Sequence, residues 1–326
     1  MNQLPDQRVA GAGPVQQIAE DVHVITVDDH KCFLDARPWI VSDTCSCLDV
    51  VNDILILGTG KTGRRIAARL RAAGRPVRTA ARTSGDIAVD LGDPDTWAPA
   101  LGGVTAAYLI EPDLQAASTA REARIPRFVT EAVAAGVRRL VLLSAGGADH
   151  DSNPLKLAEQ AVRGSGVEWT VLRPTWFAQN FSEGPWRPGV LSGALALPTG
   201  DGRTAFVDAE DIAEVAASAL TEDRHNSQVY MLTGPRAISF GEAADLIAKA
   251  TGRDVRHLDV DPEVHIERQV AAGVPGDVAR LLTGVLTAIR DGRDAGVADG
   301  VERALGRPPG RFEDYVSRAA AAGDWD

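Results

Sequence analysis

The sequence predicts an α/β protein: a Rossmann-type doubly wound parallel sheet with a small C-terminal substrate lobe and an irregular N-terminal extension. Three observations carry this. From position 53 onward, short aliphatic runs alternate with amphipathic segments of about ten residues, the rhythm of a parallel sheet covered on both faces. A glycine-rich turn, Gly58-Thr59-Gly60-Lys61-Thr62-Gly63, stands between the first aliphatic run and the first amphipathic segment. Residues 1–52, in contrast, mix Pro, Gly, Asp and Gln and sustain neither a helical nor an alternating period.

The elements follow in order. Ile54–Leu57 reads as a short buried strand, and Arg64–Ala73 as a helix closed by Gly74 with Pro76 beyond. Val77–Ala81 and Ile87–Val89 read as strands. Asp93-Pro94 supplies an N-cap and a first-turn proline for a helix running through Trp97 to Leu101. Val104–Ile110 is a strand, Glu122–Ala135 a helix, Val137–Ser144 a strand. Asn153-Pro154 opens a helix to Arg163, and Glu168–Leu172 is a strand closed by Arg173-Pro174. Residues 53–175 thus form the dinucleotide-binding core, and 176–326 a substrate lobe with elements completing it. Residues 176–198, rich in Trp, Gly and Pro, read as loops. Ala205–Val207 and Val229–Leu232 read as strands and Glu210–Leu220 as a helix. Ser239 and Glu242 form a capping box before a helix that stops at Gly252. Positions 263–290 carry helical periodicity, and 312–321 form a last helix.

Composition narrows the partners. The chain has 326 residues, 44% hydrophobic and 24% charged, enough apolar material for a full core. A net charge of −11 argues against nucleic acid or an anionic membrane as partner. No apolar run is long enough to span a bilayer, and the N-terminus lacks the layout of a secretory signal. The three cysteines, Cys32, Cys45 and Cys47, are odd in number and point to a reducing, cytoplasmic setting. Cys45-Ser46-Cys47 lacks the four-ligand spacing of a metal site, so no metal is expected. Nothing in the sequence fixes the oligomeric state.

The glycine turn has a physical reading. Gly58 permits a tight turn, Gly60 lets the backbone approach a diphosphate, and Gly63 lets helix and strand pack closely. The free N–H groups of the turn and the positive helix end then hold the phosphate, with Lys61, Thr62 and Arg64 adding donors and charge. The second strand ends Thr79-Ala80-Ala81-Arg82-Thr83-Ser84, without the acid that NAD binders place there for the ribose hydroxyls. Arg82 suits a 2′-phosphate, so NADP(H) is the expected cofactor. Asp90, after the third strand, is a candidate for the adenine edge or a helix cap.

These residues, with VRRLVLLSA, VEWTVLRPTWFAQNF and FVDAEDIAEVA, resemble the NmrA-like branch of atypical short-chain dehydrogenases/reductases. The subgroup most resembled contains ergot-alkaloid pathway reductases and bacterial relatives, and the similarity runs from about Asp53 to the C-terminus. Relatives commonly carry an extra glycine where Leu57 stands.

Typical short-chain dehydrogenases use Tyr-x-x-x-Lys plus Ser, the tyrosine moving a proton to or from the substrate oxygen. Four positions before Lys31, Lys61, Lys156 and Lys249 stand Val27, Leu57, Ser152 and Asp245, so the pair is missing. The resemblance places Lys156 where the family's lysine falls, Ser152 in place of its tyrosine, and Ser144 near its serine. His150 is a further candidate acid, as are Ser144 and Ser152. Trp176, Phe177 and Asn180, with Gln179, follow the sixth strand at the sheet edge, where flat aromatics suit a planar or cationic substrate. Ketone reduction generates an alkoxide that needs an acid; iminium reduction gives a neutral amine and does not. The resemblance implies iminium substrates for the ergot-pathway relatives. The sequence therefore points to an NADPH-dependent reductase of a small planar imine, iminium, quinone or enone. Its alternative is a non-catalytic NADP(H)-binding sensor of the NmrA type acting through a protein partner. A cofactor-retaining isomerase or epimerase is disfavoured by the missing tyrosine.

Overall fold

The structure, a computed structural model, describes residues 53–112, 123–146 and 153–326, together with the backbone of Val22–Val27 (β1) and His30–Asp35 (β2). The chain divides into two units, Met1–Asp49 and Val50–Asp326. In the first, β1 pairs antiparallel with β2, Val22 opposite Asp35. The stretch expected to be irregular thus contains a hairpin. Its second strand, HKCFLD, has no alternation to reveal it. Cys45 and Cys47 lie outside the described residues.

The second unit is built on seven parallel strands. Asp53–Leu57 (β3) leads through Gly63–Ala72 (α1) to Val77–Ala81 (β4) and Ile87–Ala88 (β5). Trp97–Leu101 (α2), Val104–Ile110 (β6), Arg124–Ala134 (α3), Arg139–Leu143 (β7), Lys156–Arg163 (α4) and Glu168–Pro174 (β8) follow. Beyond these lie Arg187–Ser192 (α5), Ala194–Leu197 (β9), Arg203–Thr204 (β10), Ala209–Thr221 (α6) and Gln228–Leu232 (β11). The strand order across the sheet is β11-β8-β7-β6-β3-β4-β5. It reverses direction between β3 and β6, and the crevice at the carboxyl ends of these strands is where ligands bind in open α/β sheets.

Each face of the sheet is covered because the strands are apolar on both sides. Ile54 and Ile56 point to one face, against Ile66 and Leu70 of α1 and Ile212 and Ala216 of α6. Leu55 and Leu57 point to the other, with Trp97, Leu101 and Phe128. The N-terminal cap at Asp93 forms as the sequence predicts, its carboxylate accepting from Asp95 N at 3.2 Å. A single 3₁₀ turn, Pro94–Thr96, precedes α2.

The remaining chain forms the lobe. Ile238–Ser239 (β12) pairs with β10, and Phe240–Thr251 (α7) starts where Ser239 Oγ accepts from Glu242 N at 3.1 Å. Arg256–Asp259 (β13) pairs in parallel with β9. Pro262–Ala271 (α8), Gly276–Arg290 (α9), Gly300–Leu305 (α10) and Phe312–Ala321 (α11) complete it. The lobe's core is aromatic: Phe181, Trp186, Phe206, Phe240, Phe312, Tyr315 and Trp325 pack together.

Two expectations about the lobe are corrected. The stretch 176–198 holds α5 and β9 rather than loops alone; Pro188, Gly189 and Gly193 mask the helix in the sequence, and Gly193 ends it at φ 82°. The strand expected at Ala205–Val207 lies earlier, at β10. Val207 makes only an isolated bridge with Phe177, because Asp208 already caps α6. Helix α10, too short for a clear period, was not anticipated from the pattern.

Phe128 is fully buried and meets Trp97 edge-on, ring centroids 5.3 Å apart. Phe128→Ala is expected to cost about 3–5 kcal/mol, read as a lowered midpoint in urea with an unchanged slope.

Candidate functional site

The turn after β3 is shaped by its glycines. Gly58 adopts φ +88°, which favours glycine. Its N–H donates to Ala80 O at 2.7 Å, and a Cβ there would stand 3.0 Å from Ile110 at the end of β6. A Cβ on Gly63 would lie 1.9 Å from Gly58 O, so only glycine lets α1 approach the turn this closely. A Cβ on Gly60 would meet nothing within 4 Å; the backbone there faces open space, as approach by a diphosphate requires. Among the described residues, no protein acceptor takes the amides of Thr59, Gly60, Lys61 or Thr62. The buried Leu57 is the last residue of β3 and leaves this turn intact.

Two residues outside the motif steady it. The buried Tyr108 on β6 donates its hydroxyl to Thr62 Oγ1 at 2.8 Å. Arg65 Nη1 donates to Lys61 O at 2.8 Å, while its other nitrogens pair with Glu183 Oε1 at 2.5 Å and Glu210 Oε1 at 2.8 Å. Glu183 also holds Arg64. The Lys61 amine is half-buried; burial lowers its pKa, with Glu183 opposing and Arg64 and Arg65 assisting. A Cβ on Gly184 would lie 2.8 Å from Asn180 Oδ1 and 3.0 Å from Lys61 Nζ, so lobe and turn meet here.

The loop after β4 lies beside the turn. Thr59 Oγ1 and Ser84 Oγ are hydrogen-bonded at 2.5 Å, joining this loop to the turn. Asp86, the one nearby acid, folds back: its Oδ2 accepts from Thr79 N at 2.8 Å, from Thr79 Oγ1 at 2.9 Å and from Arg71 at 2.6 Å. The bonds from Thr79 hold its pKa below the usual carboxylate range. Arg82 is exposed and has no partner among the described residues. Asp90 Oδ1 accepts from Gly92 N at 2.8 Å, and its carbonyl accepts from Trp97 Nε1 at 2.8 Å. Its local bonds serve the entry to α2.

The catalytic candidates separate. Ser144 is buried, and its hydroxyl donates to Glu159 Oε1 at 2.6 Å. Glu159 is gripped by Arg173, Nε to Oε1 at 2.8 Å and Nη2 to Oε2 at 2.7 Å, and by Arg163 at 3.0 Å. Ser144 and Arg173 therefore tie β7, α4 and β8 together. Lys156 opens α4 behind a turn in which Asn153 Oδ1 accepts from Leu155 N at 2.9 Å. His150 and Ser152 lie outside the described residues. Each tyrosine has another position: Tyr108 on the turn, Tyr230 against His225 Nδ1 at 2.9 Å, and Tyr315 in the lobe core.

The substrate candidates follow β8. Trp176 is half-buried and tilts against Trp186, centroids 5.2 Å apart. Phe177 is half-buried beside the sheet core. Asn180 is buried, and its carbonyl accepts from Trp186 N at 3.1 Å. Gln179 is structural: it donates to Asp208 and accepts from Ala209 N, fastening the start of α6. Glu159 was missed in the sequence although it occupies an inward position on α4, between the buried Ala158 and Val162. A carboxylate on an apolar stripe signals a buried cation, here the arginine in Val171-Leu172-Arg173-Pro174.

Turn, open amides and strand reversal define a dinucleotide-binding Rossmann protein. Residues 58–223 match the NAD(P)H-binding family. The NAD(P)H azoreductase of Xenophilus azovorans is 30% identical over 287 residues, covering 82% of this chain and 98% of that protein. Festuclavine synthase II of Penicillium roqueforti is 30% identical over 286 residues, covering 81% and 96%. The NADP(H)-complexed triphenylmethane reductase of Citrobacter sp. superposes with a TM-score of 0.66 at 24% identity, covering 82% and 99%, and shares the fold. The chain belongs to the NAD(P)H-binding family, in its NmrA-like, atypical short-chain dehydrogenase/reductase branch, and is an NAD(P)H-dependent oxidoreductase. No helix among the described residues is long and apolar enough to cross a membrane.

Burial alone would push the Glu159 carboxyl up, but hydrogen bonds from Arg173 and Ser144 outweigh it and the pKa is lowered. The stability this gives is present above the unfolded glutamate pKa of about 4.3 and is lost as pH falls through the lower folded value. Glu159→Gln removes the carboxylate that pairs with the buried Arg173 and is expected to cost about 3–5 kcal/mol at pH 7. Urea titrations from pH 7 to pH 3 should show the gap between wild type and variant narrowing as acid protonates the wild-type carboxylate.

Proposed function

We propose that this oxidoreductase uses NADPH in preference to NADH and reduces a small planar acceptor of the imine or iminium, quinone or enone type without a Tyr-x-x-x-Lys pair. The observation that carries the cofactor preference is the loop after β4. Among the described residues Arg82 has no partner, while Asp86, the acid that would serve ribose hydroxyls, is engaged by Thr79 and Arg71. A guanidinium beside Thr83 and Ser84 matches a phosphate monoester in charge and in fork geometry.

The residues of the turn fit the dinucleotide. The amides of Thr59 to Thr62 and the start of α1 would hold the diphosphate, with Lys61 adding charge. When bound, the reduced nicotinamide supplies a hydride. This chain's own part is to position the ring and acceptor and to exclude water. Trp176, Phe177 and Asn180 are proposed to flank the acceptor. Ser144 is proposed to support the edge through Glu159 rather than to donate a proton. Roles for Lys156 near the nicotinamide ribose, for His150 on the loop after β7 and for Asp90 at the adenine edge belong to the same reading. The azo and triphenylmethane compounds named for two of the relatives are conjugated acceptors, which supports the planar class. Membership among oxidoreductases favours turnover over the sensor reading.

Fluorescence titrations of the whole chain with NADPH and NADH test the cofactor assignment. Wild type should bind NADPH at least tenfold more tightly, and Arg82→Ala should remove most of that preference with little change for NADH. Equal affinities in wild type would refute it. Turnover of NADPH across a panel of iminium ions, quinones and enones tests the acceptor class.

A further inference from the structure

The start of α1 gathers positive charge. Lys61, Arg64 and Arg65 follow one another closely, no acidic residue stands in the first turn, and the helix end is itself positive. A carboxylate from the lobe answers them. Glu183, on the segment after β8, pairs with Arg64 and, at 2.5 Å, with Arg65. Its charge also reaches the half-buried Lys61 amine, which among the described residues makes no ion pair or hydrogen bond. Burial alone would push the Glu183 carboxyl up, but the bonds from Arg65 and Arg64 outweigh it and the pKa is lowered, so the group is ionised at neutral pH. Its backbone is fixed: Glu183 N donates to Gln179 O at 2.8 Å, and Gln179 is fastened to Asp208 and Ala209.

The three cations depend on this carboxylate unequally. Arg65 has two further anchors, Glu210 Oε1 at 2.8 Å and Lys61 O at 2.8 Å, and keeps its place in the turn through them. Among the described carboxylates, Glu183 is the one that meets Arg64 and the one whose charge acts on Lys61. Lys61 also carries one of the open amides of the turn. A diphosphate on those amides and the carboxylate of Glu183 therefore draw on the same two cations, and as like charges they repel each other.

We infer that Glu183 is a positioning residue that competes with the cofactor's diphosphate for Lys61 and Arg64 and so sets how readily the cofactor is released. The inference rests on the turn as the diphosphate site and adds to it a built-in opponent. A nicotinamide cofactor must be exchanged on every cycle, and release is often the slow step. An excess of fixed positive charge at the turn would slow it; one carboxylate held rigidly in the lobe counters that excess. The role has a sign of its own. Removing a residue that only braced the turn would weaken cofactor binding, whereas removing a competing anion strengthens it.

The test uses the full chain at neutral pH and about 0.15 M salt. Fluorescence titration gives the affinities for NADP⁺ and NADPH, and stopped-flow displacement gives their dissociation rates. Glu183→Gln keeps the shape and an acceptor for Arg65 while removing the charge. It should bind both nucleotides about fivefold or more tightly than wild type, through slower dissociation. Glu183→Asp, which keeps the charge, should stay within about twofold of wild type. Added salt should weaken binding by Glu183→Gln more steeply than binding by wild type. Urea midpoints show that the variants fold. If Glu183→Gln does not fold, the same charge removal is made in Arg64→Gln, which leaves no exposed arginine without its partner, and is read against Arg64→Gln alone. Unchanged or weaker nucleotide binding on loss of the carboxylate would overturn the inference. Binding of NADPH by wild type would in that case leave the assignment of the turn standing; no binding of either nucleotide by wild type would overturn both.

Discussion

Arg65, third residue of α1, reaches three elements at once. One nitrogen holds the carbonyl of Lys61 in the turn, another holds Glu183 in the lobe, and Nε holds Glu210 at the start of α6. The side chain is 17% exposed, so its fork is worth more than an open surface pair. Burial works against its charge, and the two carboxylates outweigh that and raise its pKa. The consequence is geometric. The open backbone amides of the turn are fixed by the same group that fixes the lobe, so the position of the lobe and the shape of the turn are not independent. The pairs continue along the helices through Arg69, Glu214 and Arg307 to Asp211, joining α1 to α6 and to the segment before α11.

A second buried pair does the corresponding work on the other side of the strand reversal. Glu159 and Arg173 are bidentate and nearly excluded from water, and Ser144 completes the carboxylate's partners. This holds β7, α4 and β8 in one arrangement at the carboxyl edge of the sheet. The Ser144 hydroxyl is directed at Glu159 there, so its contacts tie the strand end to the helix.

How much of this was legible depended on whether the signal was local. The turn announces itself because three glycines, a strand and a helix fall within a few residues, and each glycine has a separate steric reason confirmed by Gly58 O, Ile110 and the open space at Gly60. The sheet was legible because each strand is apolar on both faces. Long-range polar pairs were not: Glu183 is 118 positions from Arg65, and Asp294 is 90 from Thr204. No period or motif connects them. The lobe was half legible for a related reason. Its core is a cluster of aromatic rings drawn from 181 to 325, and such packing leaves no regular spacing in any one segment. Asp86 stands four positions after Arg82, and only the fold shows its carboxylate committed to Thr79 and Arg71.

The missing tyrosine then becomes an argument about charge rather than a gap. The chain's three tyrosines are each engaged or buried away from the position four residues before a lysine. Hydride delivered to a neutral ketone leaves an anion, and apolar, aromatic surroundings oppose that anion through their low dielectric. Hydride delivered to a cation removes charge, and the same surroundings favour the change. The environment that would defeat one reaction assists the other. An enzyme of this branch can therefore dispense with the acid if its acceptor arrives already electron-poor, and the selection then falls on what recognises that acceptor before reaction.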